Sequence, residues 1–426
     1  MLAFLPLILL LSIHIYFTFR SGIVQRKLPS ALKLSFCNTS SESGNVTPFG
    51  ALTTILAATL GTGNIIGVST AIALGGPGAL FWCWLTGIFG MATTYAESFL
   101  GISFRVKDKT GQYHGGPMYV LKNQLHKKVP SFLYAAFLFC SSLILGCAIQ
   151  SNSVITSASY LWKFPKHFVS LAMAVLIGIM TIGGLKSISK ICMKLIPVLS
   201  LFYLGGCLVL LLKNITYFVP AVKWMFTSAF SFSSAAGGLA GAAVTQALRY
   251  GVARGLFTNE AGLGTVAVTS ATAQARRPEH QALVTMTATF WDTVVLCMLT
   301  GLAILTCMLK TPQNFVGAAI SDYTSIAFEQ IPVIGASGLT LSLIGFAFAT
   351  MLGWSYLGEE ASYFLFGKKS VSIYHLIFIL ACFLGGTFSV EAIWNLTDVL
   401  NVLLMIPGLL TLLLMRKQIR YPGRKL

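Results

Sequence analysis

Stretches of about twenty consecutive apolar residues, enough to cross a hydrocarbon core about 30 Å thick, recur along the whole of this chain. They lie at about 1-19, 48-73, 77-104, 131-159, 166-185, 189-213, 219-255, 281-309, 332-358, 371-387 and 392-415, the seventh interrupted. A bilayer core offers no water to bare backbone groups, so runs of this kind cross it as helices. Of the 426 residues, 55% are hydrophobic and only 10% charged, against about 25% charge in a soluble domain. The sequence therefore reads as an all-α integral membrane protein of about 11 transmembrane helices. The first run has no basic segment before it and no small-x-small cleavage site before Arg20, so it is expected to be a retained helix and not a signal peptide. The nine cysteines are scattered with no C-x-x-C spacing, which implies neither a metal site nor a disulfide framework.

A net charge of +17 raises the question of a nucleic-acid partner, and the placement of the charge answers it. With the N-terminus outside, only Lys163, Lys166, Lys213, Lys223 and Lys310 of the 29 basic residues fall on the outer side. Loops such as the one carrying Arg105, Lys107, Lys109, Lys122, Lys127 and Lys128, and the tail with Arg416, Lys417 and Arg420, then face the cytoplasm. This is the positive-inside pattern. The charge orients the chain in a lipid bilayer, and no nucleic acid is implied.

Glycine takes 40 positions, many inside spans, where small residues let helices approach closely. Two clusters stand apart. "GTGN" at 61-64 interrupts helix 2, and "SSAAGGLAG" at 233-241 interrupts helix 7, five helices later. Weakened helices at matching positions of two halves are the mark of an inverted-repeat transporter with its site at the breaks. The expected organisation is a peripheral N-terminal helix and cytoplasmic loop (1-47), a first five-helix repeat (48-215), and a second, inverted one with a basic tail (216-426). Sequons at Asn38, Asn45, Asn214 and Asn395 are read as chance.

A broken helix exposes backbone groups that lipid cannot satisfy, so a break persists where something polar fills it. The first half of helix 2 would end near Leu60, its carbonyls suiting a small cation. The second would start near Asn64 or Ile65, its N–H groups suiting a carboxylate. Gly61 and Gly63 supply backbone freedom, Thr62 a hydroxyl, and Asn64 a cap for the second half; the competing reading is a packing kink. Glu97 and Asp292 are the deepest acids and so functional candidates, with a structural contact to a neighbouring helix as the alternative. Glu260, Glu359 and Glu360 fit caps, gates or ion pairs toward the cytoplasmic face. In "IQSNS", Gln150 could reach the break, while Asn152 and Ser153 mark the same polar turn; ordinary interhelical bonding is the alternative. Thr350 and Trp354, four apart on one helical face, could ligate the cation and wall the substrate. An interfacial aromatic anchor is the competing reading of Trp354. With so few buried acids, small neutral amino acids are favoured over cationic ones. A membrane-embedded enzyme would need a catalytic cluster, and no H-E-x-x-H or nucleophile elbow occurs. A channel would ordinarily show repeated pores or rings of ligands.

The segments "TPFGALTTILAATLGTGNIIGVSTAIALGGPGALFWCWLTGIFGMATTYAE", "GGPMY", "QALRYGVARGLFTNEAGLG" and "GWSYLGEEASYFLFG" resemble the signatures of the alanine or glycine:cation symporter family, often called sodium:alanine symporters. The resemblance runs from "FTFRSGIVQR" to "VLLMIPGLL", nearly the whole chain. It implies a five-plus-five inverted repeat of the amino acid, polyamine and organocation superfamily type with one extra N-terminal helix. It also implies Na⁺-driven uptake of alanine or glycine across the cell membrane, the inner membrane of a bacterium, with no enzyme cofactor. Carried over by motif, Thr62, Gly63, Asn64, Gln150 and Trp354 would contact the substrate. By analogy with the wider fold, Thr350 and the helix 2 break at Gly61 would hold sodium. A proton-coupled symporter of the same fold is the alternative. The segment after "GGPMY" departs from the family pattern, reading "VLKNQLHKK".

Overall fold

A computed structural model describes residues 5–36, 44–181, 183–230, 239–275 and 277–422. In chain order the helices are α1 (Leu5–Arg20), α2 (Leu28–Ser35), α3 (Pro48–Thr59), α4 (Val68–Gly75), α5 (Gly78–Ser103), α6 (Pro117–Asn123), α7 (Lys128–Leu143), α8 (Ile149–Trp162), α9 (Lys166–Thr181) and α10 (Gly184–Lys213). There follow α11 (Phe218–Phe230), α12 (Leu239–Asn259), α13 (Thr265–Ser270), α14 (Pro278–Thr289), α15 (Met298–Lys310), α16 (Tyr323–Glu329), α17 (Gly335–Phe366), α18 (Ser370–Leu384) and α19 (Val390–Leu414). Pro48 opens α3 behind Thr47, whose hydroxyl accepts from Gly50 N–H at 3.1 Å. Proline in the first turn costs no hydrogen bond, and the threonine satisfies an end donor.

Among the described residues, six helical stretches are long and apolar enough to cross a membrane, or eight if each of two bent pairs is one span. The expected count of eleven is thus met only in part. Of the remaining helices in those runs, α9 is only 16 residues long and α12 carries Arg249 and Arg254. Helix α5 lies at the centre, packed by α1, α11, α12, α13 and α14. Its residues are mostly buried, large apolar side chains such as Leu80, Phe81 and Phe99 alternating with small ones. A Cβ at Gly251 or Gly255 of α12 would run into Ala79 O or Thr86 Oγ1 of α5, which is how a glycine pair four apart seats one helix on another.

Arg249 and Arg254, which the positive-inside pattern puts toward the cytoplasm, belong to α12. Beside them, Tyr250 and Gln246 face Gly75 of α4, and the Arg254 stem faces Gly67 just before it. Arg254 is buried and pairs with Asp398 of α19 at 2.6 Å. The long polar stretch after α5 forms a small antiparallel hairpin, β1 (Val106–Lys107) and β2 (Tyr113–His114). Asp108 closes its turn by accepting from the N–H groups of Thr110 and Gln112, both at 2.8 Å.

Candidate functional site: two helix breaks and the side chains that dress them

Helix α3 ends at Thr59, and Leu60 turns its backbone to φ −75°, ψ 84°. A π-helical turn over Gly63–Gly67 then leads into α4, and the two halves meet at 51°. Side chains from elsewhere satisfy what the break leaves open. Gly61 N–H donates to Asn64 Oδ1 at 3.1 Å, and Thr62 N–H to Gln150 Oε1 at 3.2 Å. Leu60 O accepts from Thr350 Oγ1 at 3.2 Å, a hydroxyl that also lies 3.0 Å from Phe346 O. The Thr62 hydroxyl is buried and has no hydrogen-bond partner among the described residues. Gly61 leaves room for this traffic, since a Cβ there would sit 2.6 Å from Thr350 Oγ1.

Asn64 in turn is fixed from below. Its Nδ2 donates to Asp292 Oδ1 at 2.7 Å, within a second π-helical turn, Phe290–Cys297, that joins α14 to α15. Thr293 donates to the other oxygen of Asp292 at 2.6 Å. A third π-helical turn, Ile144–Ala148, joins α7 to α8 just before Gln150. Such turns are rare and gather at functional sites, and all three surround the broken helix or its ligands.

A second break lies across the first. Helix α12 stops at Asn259, and α13 begins only at Thr265. Between them Glu260, Gly262 and Gly264 all have positive φ (55°, 95° and 82°). Glu97 of α5 accepts from Gly262 N–H at 2.9 Å and Gly264 N–H at 2.8 Å through one oxygen. Glu260 accepts from Trp354 Nε1 of α17 at 2.9 Å and from Thr265 Oγ1 at 2.7 Å. The breaks approach each other at Gly63, where a Cβ would lie 2.8 Å from Thr258 Cγ2 and from the Phe257 ring.

The structure gathers the sequence-derived residues closely. Gly61, Thr62, Gly63, Asn64, Gln150 and Thr350 meet at the first break. Trp354 is 2% exposed, so the interfacial-anchor reading fails. Asn152 faces away, donating to the carbonyls of Gly385 and Phe388. Two expectations need correction. Asn64 does not cap a fresh helix start; the second half begins as a π-helical turn at Gly63, and Asn64 bonds back to Gly61 N–H. The "SSAAGGLAG" interruption at 233-241 falls mainly on residues 231–238, outside the described residues, and the second described break is "EAGLG" at 260–264. Glu260, expected as a peripheral cap or gate, is buried in that break and holds an indole. Two glycines spaced as in "GTGN" next to an acid were the signal for it in the sequence.

The chain matches the family model described as the sodium:alanine symporter family over residues 1–421. It is 40% identical over 416 residues to the sodium/alanine symporter AgcS of Methanococcus maripaludis, covering 96% of this chain and 91% of that one. It is 34% identical over 417 residues to the probable sodium/glutamine symporter GlnT of Bacillus subtilis, covering 97% and 86%. Among solved structures, MhsT in complex with L-phenylalanine matches with a TM-score of 0.61 at 16% identity, covering 88% and 90%. A Na⁺-coupled sialic acid symporter matches at 0.55 and 13%, covering 94% and 86%. These two likenesses carry the fold alone, and the family match carries the identity. A multi-pass membrane protein built on broken helices, the chain belongs to the sodium:alanine symporter family and is a secondary transporter, not an enzyme.

Proposed function

We propose that the chain couples Na⁺ entry to the uptake of a small neutral amino acid by alternating access at the first break. The observation that carries this reading is how the break is satisfied. Its donors and acceptor at Gly61, Thr62 and Leu60 are held by three movable side chains, Asn64, Gln150 and Thr350, each of which can trade its bond for one to a ligand. A substrate carboxylate would take over Thr62 N–H from Gln150 and engage the unpartnered Thr62 hydroxyl. Na⁺, travelling as cargo, would take the Leu60 and Phe346 carbonyls with Thr350 Oγ1, beside Gly61. Trp354 would wall the side-chain end and limit its size.

Two repeats of five helices, over 48–215 and 216–426, fit the arrangement, with α1 outside them. The broken α3–α4 lies at the start of the first, the α12–α13 break in the early part of the second, and short α6 and α16 fall at similar places in each. The N-terminus is placed outside and the C-terminus in the cytoplasm, in a bacterial inner membrane.

Uptake of labelled alanine and glycine into proteoliposomes tests the coupling. An imposed inward Na⁺ gradient is expected to drive accumulation of one or both. Accumulation that ignores Na⁺ and follows a pH gradient would replace sodium with protons, for which buried Asp292 and Glu97 beside the breaks are at hand. Substrate size is tested by Trp354→Ala, which should weaken alanine by about 1–3 kcal/mol and admit larger neutral competitors such as glutamine or leucine.

A further inference from the structure

We infer that Glu260 is a positioning residue for substrate selectivity, holding the Trp354 indole against the pocket and tying that wall to the second break. The inference rests on the reading of Trp354 as a pocket wall. Glu260 adopts φ +55°, a conformation that suits glycine and strains other residues. Gly262 and Gly264, two and four positions on, adopt it without a side chain. Strain kept at such a position points to a side chain with a task. The task is visible in its contacts: one oxygen takes the only polar atom of Trp354, and the other takes Thr265 Oγ1 at the start of α13. Both carboxylate oxygens are therefore engaged in a buried setting.

The other end of Trp354 is pinned as well. Its Cβ and ring press on Gly146, in the π-helical turn one helical turn ahead of Gln150. The indole thus has apolar contact at its base and a hydrogen bond at its tip, which together fix its orientation. Gln150 reaches Thr62 of the first break, and Glu260 sits in the second. Trp354 lies between them, so a shift of the second break would move the wall of the site at the first.

The test is a transport series in proteoliposomes, normalised to reconstituted protein, reading KM and Vmax for labelled alanine and its competition by a panel of unlabelled neutral amino acids. Glu260→Ala should raise the alanine KM about tenfold, the cost of leaving the buried indole N–H without a partner, and admit larger competitors. Glu260→Gln keeps an acceptor for the indole and a donor for Thr265, and should restore the wild-type profile. Trp354→Phe removes the indole N–H, so adding Glu260→Ala to it should change KM and profile no further. A wild-type profile in Glu260→Ala, beside an altered one in Trp354→Ala, would overturn the inference and leave the pocket reading standing. An unaltered profile in Trp354→Ala itself would overturn that reading, and the inference with it. If Glu260→Ala does not reconstitute, Glu260→Asp, whose carboxyl falls one methylene short of the indole, decides: it should alter the alanine KM and the profile in the wild-type background and not in Trp354→Phe, and a wild-type profile in the first or an equal change in both overturns the role.

Discussion

At Gly63 the structure adds a second demand for glycine to the one the sequence suggests. Sequence alone gives it backbone freedom beside a ligand. In the fold it also sets the distance between the two broken helices, because Phe257 and Thr258 of α12 occupy the space a side chain would need. Gly63→Leu is therefore expected to insert into the membrane and to lose transport. Gly63→Ala should already impair transport, at an overpacking cost of about 1–3 kcal/mol. Normal alanine uptake in Gly63→Ala would show that the contact has slack to give. At the same scale, Asp292 and Glu97 stand out in sequence as deep acids, but their partners do not, since Asn64 lies 228 positions from Asp292 and Gly264 lies 167 from Glu97. Separations of that length are closed by the fold.

At the scale of elements, the hairpin after α5 docks on the end of α17 through His114. Its Nδ1 lies 2.8 Å from Glu360, its Nε2 3.6 Å from Asp108, and its ring stacks on Tyr363 at 4.6 Å. Burial alone would lower the pKa of His114, but Glu360 and Asp108 outweigh it and the net shift is upward. A folded-state pKa above the ordinary 6.5 means that the docking free energy from this ion pair is fully present below 6.5 and is lost as pH rises through the folded value. Hydrogen exchange across 106–115, corrected for intrinsic rates, should show protection that falls as pH climbs above 6.5. His114→Gln should flatten that dependence. Protection independent of pH in the wild type would mean that β1 and β2 are held by packing against Tyr119 and Tyr363 and not by the charge. A two-plus-two-residue hairpin has too little periodicity to announce itself in sequence, and only its partner on α17 explains why it forms.

For the whole molecule, the two halves brace each other crosswise. Glu97, on the second helix of the first proposed repeat, clamps the break early in the second. Asp292, on the second helical stretch of the second, anchors the break that leads the first. Thr324 of α16 likewise bonds Ile65 O past the first break at 2.8 Å, while Pro117 of α6 packs on Gly264 at the second. Reciprocal contacts of this kind are what a two-fold relation within the chain produces. The proposed orientation predicts that Lys109→Cys, in the exposed hairpin turn, reacts with an impermeant maleimide only after the membrane is opened. Gln313→Cys, between α15 and α16, should react in intact cells. The reverse pattern would invert the topology.

The sequence by itself determined that this chain lies in a membrane, that it is mostly helical, where helix 2 breaks, and which family it resembles. Each of these follows from local information: apolar length against bilayer thickness, glycine in a span, and motif strings. Tertiary structure alone decided that Gln150 and Thr350 bond the first break, that "EAGLG" forms a second one, and that Glu260 holds Trp354. It also buried Arg254 of α12 against Asp398 of α19. Those outcomes depend on which helices become neighbours. That is fixed by burying small-residue faces and leaving no unsatisfied backbone group in an apolar medium, a condition on the chain as a whole that no single segment records.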